Sequence, residues 1–466
     1  MKKTLTAFAL AATILTPQGH ASQDNPTAHE QKALEIYRTS IAMRTAEGFG
    51  NVPKLANYLA DQFRAGGFDD ADIHIKEMGE TAALIVRYRG DGSSGKKPIL
   101  LSAHMDVVDA RPEDWERDPF TLIEEDGYFF GRGTVDNKMG TTSLTSAFLR
   151  LKAEGFVPTR DLIIAFSGDE ESGMVTTEAL ANDFRDLTDA EFVLIADAGG
   201  GALADDGSVI SFNMQAAEKT YVTFELTATN PGGHSSRPRE DNAIYDLADA
   251  LKKIQAYKFP VSYSDLTRAF FKASSKRSEG DLGKAMAAFA ENPNDEWALK
   301  TLRSYPEYVG TTGTTCVATM LRGGHAENAL PQSATATVNC RVFPGTGVDN
   351  TLSMLKEVVA NPAIEWEVIY EPTESPASPL REDVLGPLTK AVHTLHPGVE
   401  IVPYMESGGT DGMHFRAAGM DSYGVSGIYM KGSDMYAHGL NERVPVKAFY
   451  ESLEHWHILL TEIAGK

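Results

Sequence analysis

The stretch ILLSAHMD, residues 99–106, carries the apolar run Ile99-Leu100-Leu101 into a histidine and an aspartate two positions apart. So short an apolar run, closed by polar residues, reads as a strand buried on both faces. Side chains alternate along a strand, so His104 and Asp106 project together from its exit. Such a pair is either a core histidine with its hydrogen-bond partner or a metal ligand with the carboxylate that orients it.

Outward from this strand the pattern repeats. AALIVRYRG (82–90), RDLIIAFSGDEE (160–171) and EFVLIADAGG (191–200) read as further strands. KMGTTSLTSAFLRLKAEG (138–155) reads as a helix ending at Gly155, and the pattern from Gln31 to Phe68 is helical. Short apolar strands separated by helices predict an α/β fold, an open and mostly parallel sheet with helices on both faces.

Near Gln215 the style changes. KTYVTFELTATN (219–230), TTCVATMLRGG (314–324), SATATVNCRVFPG (333–345) and IEWEVIYEP (364–372) alternate, with helices after Asp241 and over Asp349–Val359. That β-α-β-β-α-β order is ferredoxin-like, an antiparallel sheet with helices on one face. Residues 258–305 exceed this plan and read as a mostly helical insertion. The Pro-rich EPTESPASP (371–379) returns the chain to the first unit. The expected organisation is a leader over 1–21, a catalytic domain from 22–214 and 375–466, and an inserted α+β lid or dimerisation domain over 215–374.

The leader carries Lys2 and Lys3, an apolar run from Leu5 to Leu15, and Gly19-His20-Ala21. This is the form of a secretory signal cleaved after Ala21, which predicts a periplasmic or secreted protein. The formal net charge of −22 opposes binding to nucleic acid or to an anionic membrane surface. Cys316 and Cys340 are too few and too far apart for a zinc framework. They fall on strands expected to be neighbours, where a cross-strand disulfide or two buried thiols would both fit.

Ligand sites in open α/β sheets lie beyond the carboxyl ends of the strands. There the sequence places His104 and Asp106, Asp136, the acids Asp169, Glu170 and Glu171, Asp197, and finally His438. Carboxylates gathered in one crevice repel unless a cation sits among them. Imidazole mixed with carboxylate suits zinc or a similar divalent ion better than calcium. Two such ions need a bridging carboxylate, and a further carboxylate must stay off the metals to carry protons.

In order along the chain, SAHMDVV, WERDPF, DGYFFGRGTVDNKMG, SGDEESG, ADAGG, NPGGHSSRP, ENALPQSATATVNCRV and YAHGLNERV resemble the M20 family of co-catalytic zinc peptidases and amidohydrolases. The resemblance implies two Zn2+ per chain, with Co2+ or Mn2+ as substitutes. One ion would be held by His104 and Asp197, the other by Glu171 and His438, with Asp136 bridging. It implies Glu170 as general base and acid, Asp106 as the orienter of His104, and His234 as the histidine that reaches a partner subunit's site. Asn328 and Arg341 match positions that bind substrate. Gly408, Gly409 and Thr410 match a loop offering N–H groups to an anion. One departure is Asn339 where the family carries an aspartate two residues before Arg341. The implied activity is zinc-dependent exopeptidase cleavage, by a carboxypeptidase or dipeptidase, beside a free carboxylate. N-acyl-amino-acid hydrolysis is the alternative, and a non-catalytic zinc- or peptide-binding protein the alternative of another class. The implied partners are a small peptide or N-acyl amino acid and a second copy of the chain, joined through the inserted domain.

Overall fold

The computed structural model describes residues 26–466. The leader read over residues 1–21 lies outside the described residues. Among the described residues, no helix is long and apolar enough to cross a membrane.

In chain order the strands that matter are β1 (Ile73–Met78), β2 (Thr81–Tyr88), β3 (Ile99–His104), β4 (Leu162–Ser167), β5 (Phe192–Ile195), β6 (Gly200–Leu203) and β7 (Val209–Glu218). Then come β8 (Thr220–Thr229), β9 (Thr315–Gly323), β10 (Ser333–Val342), β11 (Ile364–Val368), β12 (Ile401–Glu406), β13 (Asp421–Gly424) and β14 (Tyr429–Lys431). Ten of them form one sheet in the order β1-β2-β4-β3-β5-β13-β7-β6-β14, with β12 pairing β7 off this path. Its centre, β4-β3-β5-β13, is parallel, and β1-β2 closes one edge antiparallel.

All six residues of β3 are buried, as the sequence pattern requires. Leu101 and Ile164 pack with Leu59, Phe63, Leu144 and Phe148 on one face. Leu100 and Ile163 pack with Leu180 and Phe415 on the other. Period-two alternation thus buries both faces, and only the strand ends reach open space. The helical stretch expected over Gln31–Phe68 is two helices, Ala28–Ile41 and Val52–Ala65. The break contains Gly48 and Gly50 at φ +82° and +58°, a left-handed backbone that no helix continues through.

Four further strands form a second, antiparallel sheet in the order β9-β10-β8-β11, the pairing of a ferredoxin-like unit. Val222, Phe224, Leu226, Val338 and Cys340 point to one side, against the helices Ala243–Ala256 and Val348–Val359. Sequence style places the changeover at Gln215, whereas β7 of the large sheet runs on to Glu218, so Lys219 alone separates the two sheets here. Residues 258–305 hold helices Asp265–Ser275, Gly280–Glu291 and Glu296–Leu302 around Phe271, Met286 and Phe289. Cys316 and Cys340 stand directly opposite across β9 and β10 and are joined as a disulfide.

Candidate metal centre

His104 is the last residue of β3 and Asp106 lies two residues beyond it, both buried. Asp136 comes from the turn before the helix Lys138–Ala153, and Glu170 and Glu171 from the turn after β4. Asp197 follows β5, and His438 belongs to the loop between β14 and the last helix, at φ +62°. In register His104 stands opposite Ser167, and β3 pairs β5 up to Ser102 and Ile195, so the parallel centre brings three of these exits together.

Asp136 occupies the middle. Its Oδ1 is 2.8 Å from His104 Nε2 and its Oδ2 is 3.0 Å from His438 Nε2. His438 Nε2 is also 3.0 Å from Glu171 Oε1, and His104 Nε2 is 3.6 Å from Asp197 Oδ1. Ligand atoms of His104, Asp136 and Glu171 all lie within 4.8 Å of one another. On its other side, His104 Nδ1 faces Asp106 at 3.3 Å, which leaves Nε2 aimed into the cluster. Asp106 also accepts the backbone N–H of Glu171. Asn137 Nδ2 donates to Asp197 Oδ1 at 2.6 Å.

The electrostatics follow from this crowding. Burial disfavours the charged form of His104, but Asp197, Asp106 and Asp136 outweigh it and hold the ring well above the ordinary imidazole value. Hydrogen bonds to Asp136 and Glu171 push His438 up to about 10. Burial would raise Asp136, yet the two histidines hold it well below the usual carboxylate range. The cluster therefore draws positive charge onto its imidazoles. A divalent cation meets the same demand, and two imidazoles with three carboxylates are a nitrogen–oxygen donor set that zinc accepts. The residues present fit a metal.

Glu170 differs from its neighbour. Among the described residues its carboxyl has no hydrogen-bond or ion-pair partner, while its N–H is held by Asp106. Burial, with Asp197, Asp411 and Glu171 nearby, raises its carboxyl well above the usual range.

Three buried carboxylates that sequence reasoning passed over build the frame. Glu442 accepts the backbone N–H groups of Gly133, Val135 and Asp136 and pairs with Arg132 at 2.7 Å. Asp411 accepts the hydroxyls of Ser102, Ser167 and Thr177 beneath the strand ends. Glu218 pairs with Arg416. Glu442 sits inside YAHGLNERV and Asp411 directly follows the Gly408–Thr410 loop, so both stretches were visible but the acids' partners were not.

The remaining expected residues lie apart from the cluster. His234 is exposed on a two-residue strand that pairs Ala329-Leu330, and its ring contacts Ser236. Asn328 is exposed beside it and accepts from Ser235 N–H. Arg341 donates to Ser407 O at 2.9 Å and lies over the Tyr221 ring. Asn339, in the departure from the family pattern, donates to Thr223 Oγ1 and leaves Arg341 to these other partners. The expectation for the Gly408–Thr410 loop is corrected. Glu406 takes the N–H of Gly408, and Glu218 takes both the N–H and the hydroxyl of Thr410. These groups are spent inside the protein; Gly409 remains open, with only Met413 Sδ near the position of a Cβ.

Residues 100–462 match the model of peptidase family M20/M25/M40. The N-fatty-acyl-amino acid synthase/hydrolase PM20D1 of Homo sapiens is 29% identical over 367 residues, covering 76% of this chain and 71% of that protein. A probable carboxypeptidase S-like 2 of Dictyostelium discoideum is 26% identical over 391 residues, covering 81% and 74%. The fold is shared with an M20 family metallo-carboxypeptidase from Sulfolobus solfataricus at a TM-score of 0.68, 18% identity and coverage of 93% and 99%. With most of its length matched and the cluster at its strand ends in that same span, the chain belongs to peptidase family M20/M25/M40.

Proposed function

We propose that the protein is a di-zinc hydrolase that cleaves an amide bond next to a free carboxylate, as an exopeptidase or as an N-acyl-amino-acid hydrolase. The observation that carries this is Asp136, which turns one oxygen to each of two histidines while Glu170 stands beside them uncommitted. His104 and Asp197 would hold one ion, Glu171 and His438 the other, and Asp136 would bridge. Bound there, zinc supplies Lewis acidity, polarising the amide carbonyl and lowering the pKa of water; Co2+ or Mn2+ would substitute.

The chain's own residues do the rest. Glu170 takes a proton from the attacking water and returns it to the leaving nitrogen as the C–N bond breaks, so one water is consumed and an acid and an amine leave. Asp106 keeps the His104 ring in one tautomer. Arg341, a cation over Tyr221 with no acid within ion-pair distance among the described residues, suits the free carboxylate. His234, exposed on the short strand that pairs Ala329-Leu330, would serve the partner's site in a homodimer formed through the inserted unit. The leader would deliver the protein to the periplasm or beyond.

The N-acyl reading is favoured alongside peptides because a relative matched over 76% of this chain is named for N-fatty-acyl amino acids. The test offers zinc-loaded and metal-stripped protein a panel of dipeptides, longer peptides and N-acyl amino acids, with products read by mass spectrometry. Zinc-dependent cleavage is expected. No turnover of any member, with two ions bound per chain, would overturn the reading in favour of a binding protein.

A further inference from the structure

The helical insertion over 258–305 and the smaller sheet bound a groove of about 710 Å³. Its lining comes entirely from residues between Ile254 and Cys316, so no member of the metal cluster takes part. A hollow of this size is in the range that small-molecule ligands occupy. Ile254 and Phe259, both buried, line it together with Tyr257, Leu299 and Val309. The rings of Tyr257 and Phe259 meet edge to face with centroids 4.9 Å apart, an arrangement that an added aromatic ring extends.

Fixed polar contacts hold the walls in place. Arg303 follows the helix Glu296–Leu302, and its guanidinium donates to Phe259 O at 3.0 Å and to Thr312 O at 3.1 Å. Its Nε adds a bond to Thr312 Oγ1. One side chain thus ties the insertion to the segment before it and to the segment after it.

The groove's charge runs against that of the chain. The sequence has 65 acidic and 43 basic residues, yet the groove is lined by Lys258, Lys300 and Arg303 against one acid, Glu296. Arg303 spends its donors on neutral oxygens, so its positive charge is not cancelled. Among the described residues no acid lies within ion-pair distance of these three cations. A cation left without an acid is what a ligand carboxylate pairs with most strongly. Aromatic walls beside an uncancelled cationic lining call for a ligand with a flat apolar body and one acid group.

We propose that this groove is a second ligand site, which binds a small aromatic carboxylic acid with its ring against Tyr257 and Phe259 and its carboxylate among Lys258, Lys300 and Arg303.

The experiment titrates the full chain with 2-naphthaleneacetate and with the matching neutral amide, 2-naphthaleneacetamide, following the ligand's NMR line width. Zinc-loaded protein, metal-stripped protein and the zinc-loaded K258Q/K300Q variant are compared. The acid is expected to saturate the protein in the millimolar range or below and to bind at least fivefold more tightly than the amide. Metal removal should leave that affinity within twofold, which separates this site from carboxylate binding to zinc. The variant should bind the acid at least fivefold more weakly while its affinity for the amide, a check on its folding, is unchanged. Equal binding of acid and amide would reduce the groove to an apolar hollow and overturn the proposal. Loss of binding with the metal, or a variant that binds the acid as before, would put the acid elsewhere and overturn it too. Absence of saturation by the acid would do the same.

Discussion

The carboxylate of Asp106 accepts the backbone N–H of Glu170 at 3.1 Å, so the acid that faces the His104 ring also fixes the turn that carries the proposed base. Every group facing this carboxylate is a donor: the His104 ring, Glu170 N–H and Glu171 N–H. Asp106→Asn would turn an amide N–H toward one of them. It is expected to weaken zinc binding roughly 10–100-fold and activity by at least as much, read by metal titration and by kcat on the best substrate of the panel. Unchanged metal affinity would remove Asp106 from this role.

Glu170→Gln separates binding from proton transfer. Activity is expected to fall roughly 10²–10⁴-fold, while metal content per chain stays at the level of the unaltered protein. Loss of metal with the activity would make Glu170 a ligand instead.

Glu442 is a fully buried acid with an arginine and three N–H groups around it. Glu442→Ala would strand Arg132, which is itself only 3% exposed. The expected cost is about 3–5 kcal/mol, visible as a lowered denaturation midpoint by urea titration. Asp136 loses its backbone anchor in the same change, so metal binding should weaken in whatever fraction remains folded.

His455 gives the pH dependence a definite sign. Burial holds this imidazole down at about 4, with Val425 O as its hydrogen-bond partner and Phe212 stacked on the ring. The unfolded chain takes up the proton near the ordinary value, so between about 6.5 and 4 the unfolded state binds more protons. The stabilisation is therefore complete above pH 6.5 and is lost as pH falls toward 4, by about 3 kcal/mol at most. His455→Gln should flatten this part of an unfolding free energy versus pH curve; an identical slope would rule the residue out as its source.

Cys316 and Cys340 close a loop across β9 and β10 with a sequence separation of 24. Reduction, or the double serine variant, is expected to cost about 3 kcal/mol, measured by thermal unfolding with and without reductant. Equal stability in both conditions would show that the bond contributes nothing to the folded chain.

The strands of the parallel centre and the acids at their ends were legible because period-two burial and ligand chemistry are both written locally, as in Ile99–Asp106. Glu442, Asp411 and Glu218 were not. Each is a buried acid whose meaning lies in partners far along the chain: Arg132 for Glu442, Ser102 for Asp411, Arg416 for Glu218. A sequence displays such an acid as it displays a solvated one. The same blindness produced the error at Thr410, whose N–H was free on paper and is held by Glu218 in the fold. The missed break after Ile41 has a plainer cause, since apolar spacing carried on past two glycines that the backbone could not ignore.

The order in which the cluster's members occur has a consequence for synthesis. His104, Asp136, Glu171 and Asp197 are all translated in the first half of the chain, and His438 arrives only in the last tenth, on the far side of the second sheet. Glu442, which anchors Asp136, is later still. A chain stopped after Asp197 but before residue 438 therefore carries most of the donors but neither the second histidine nor the anchor. Whatever the finished cluster does, a chain stopped before residue 438 lacks a member of it.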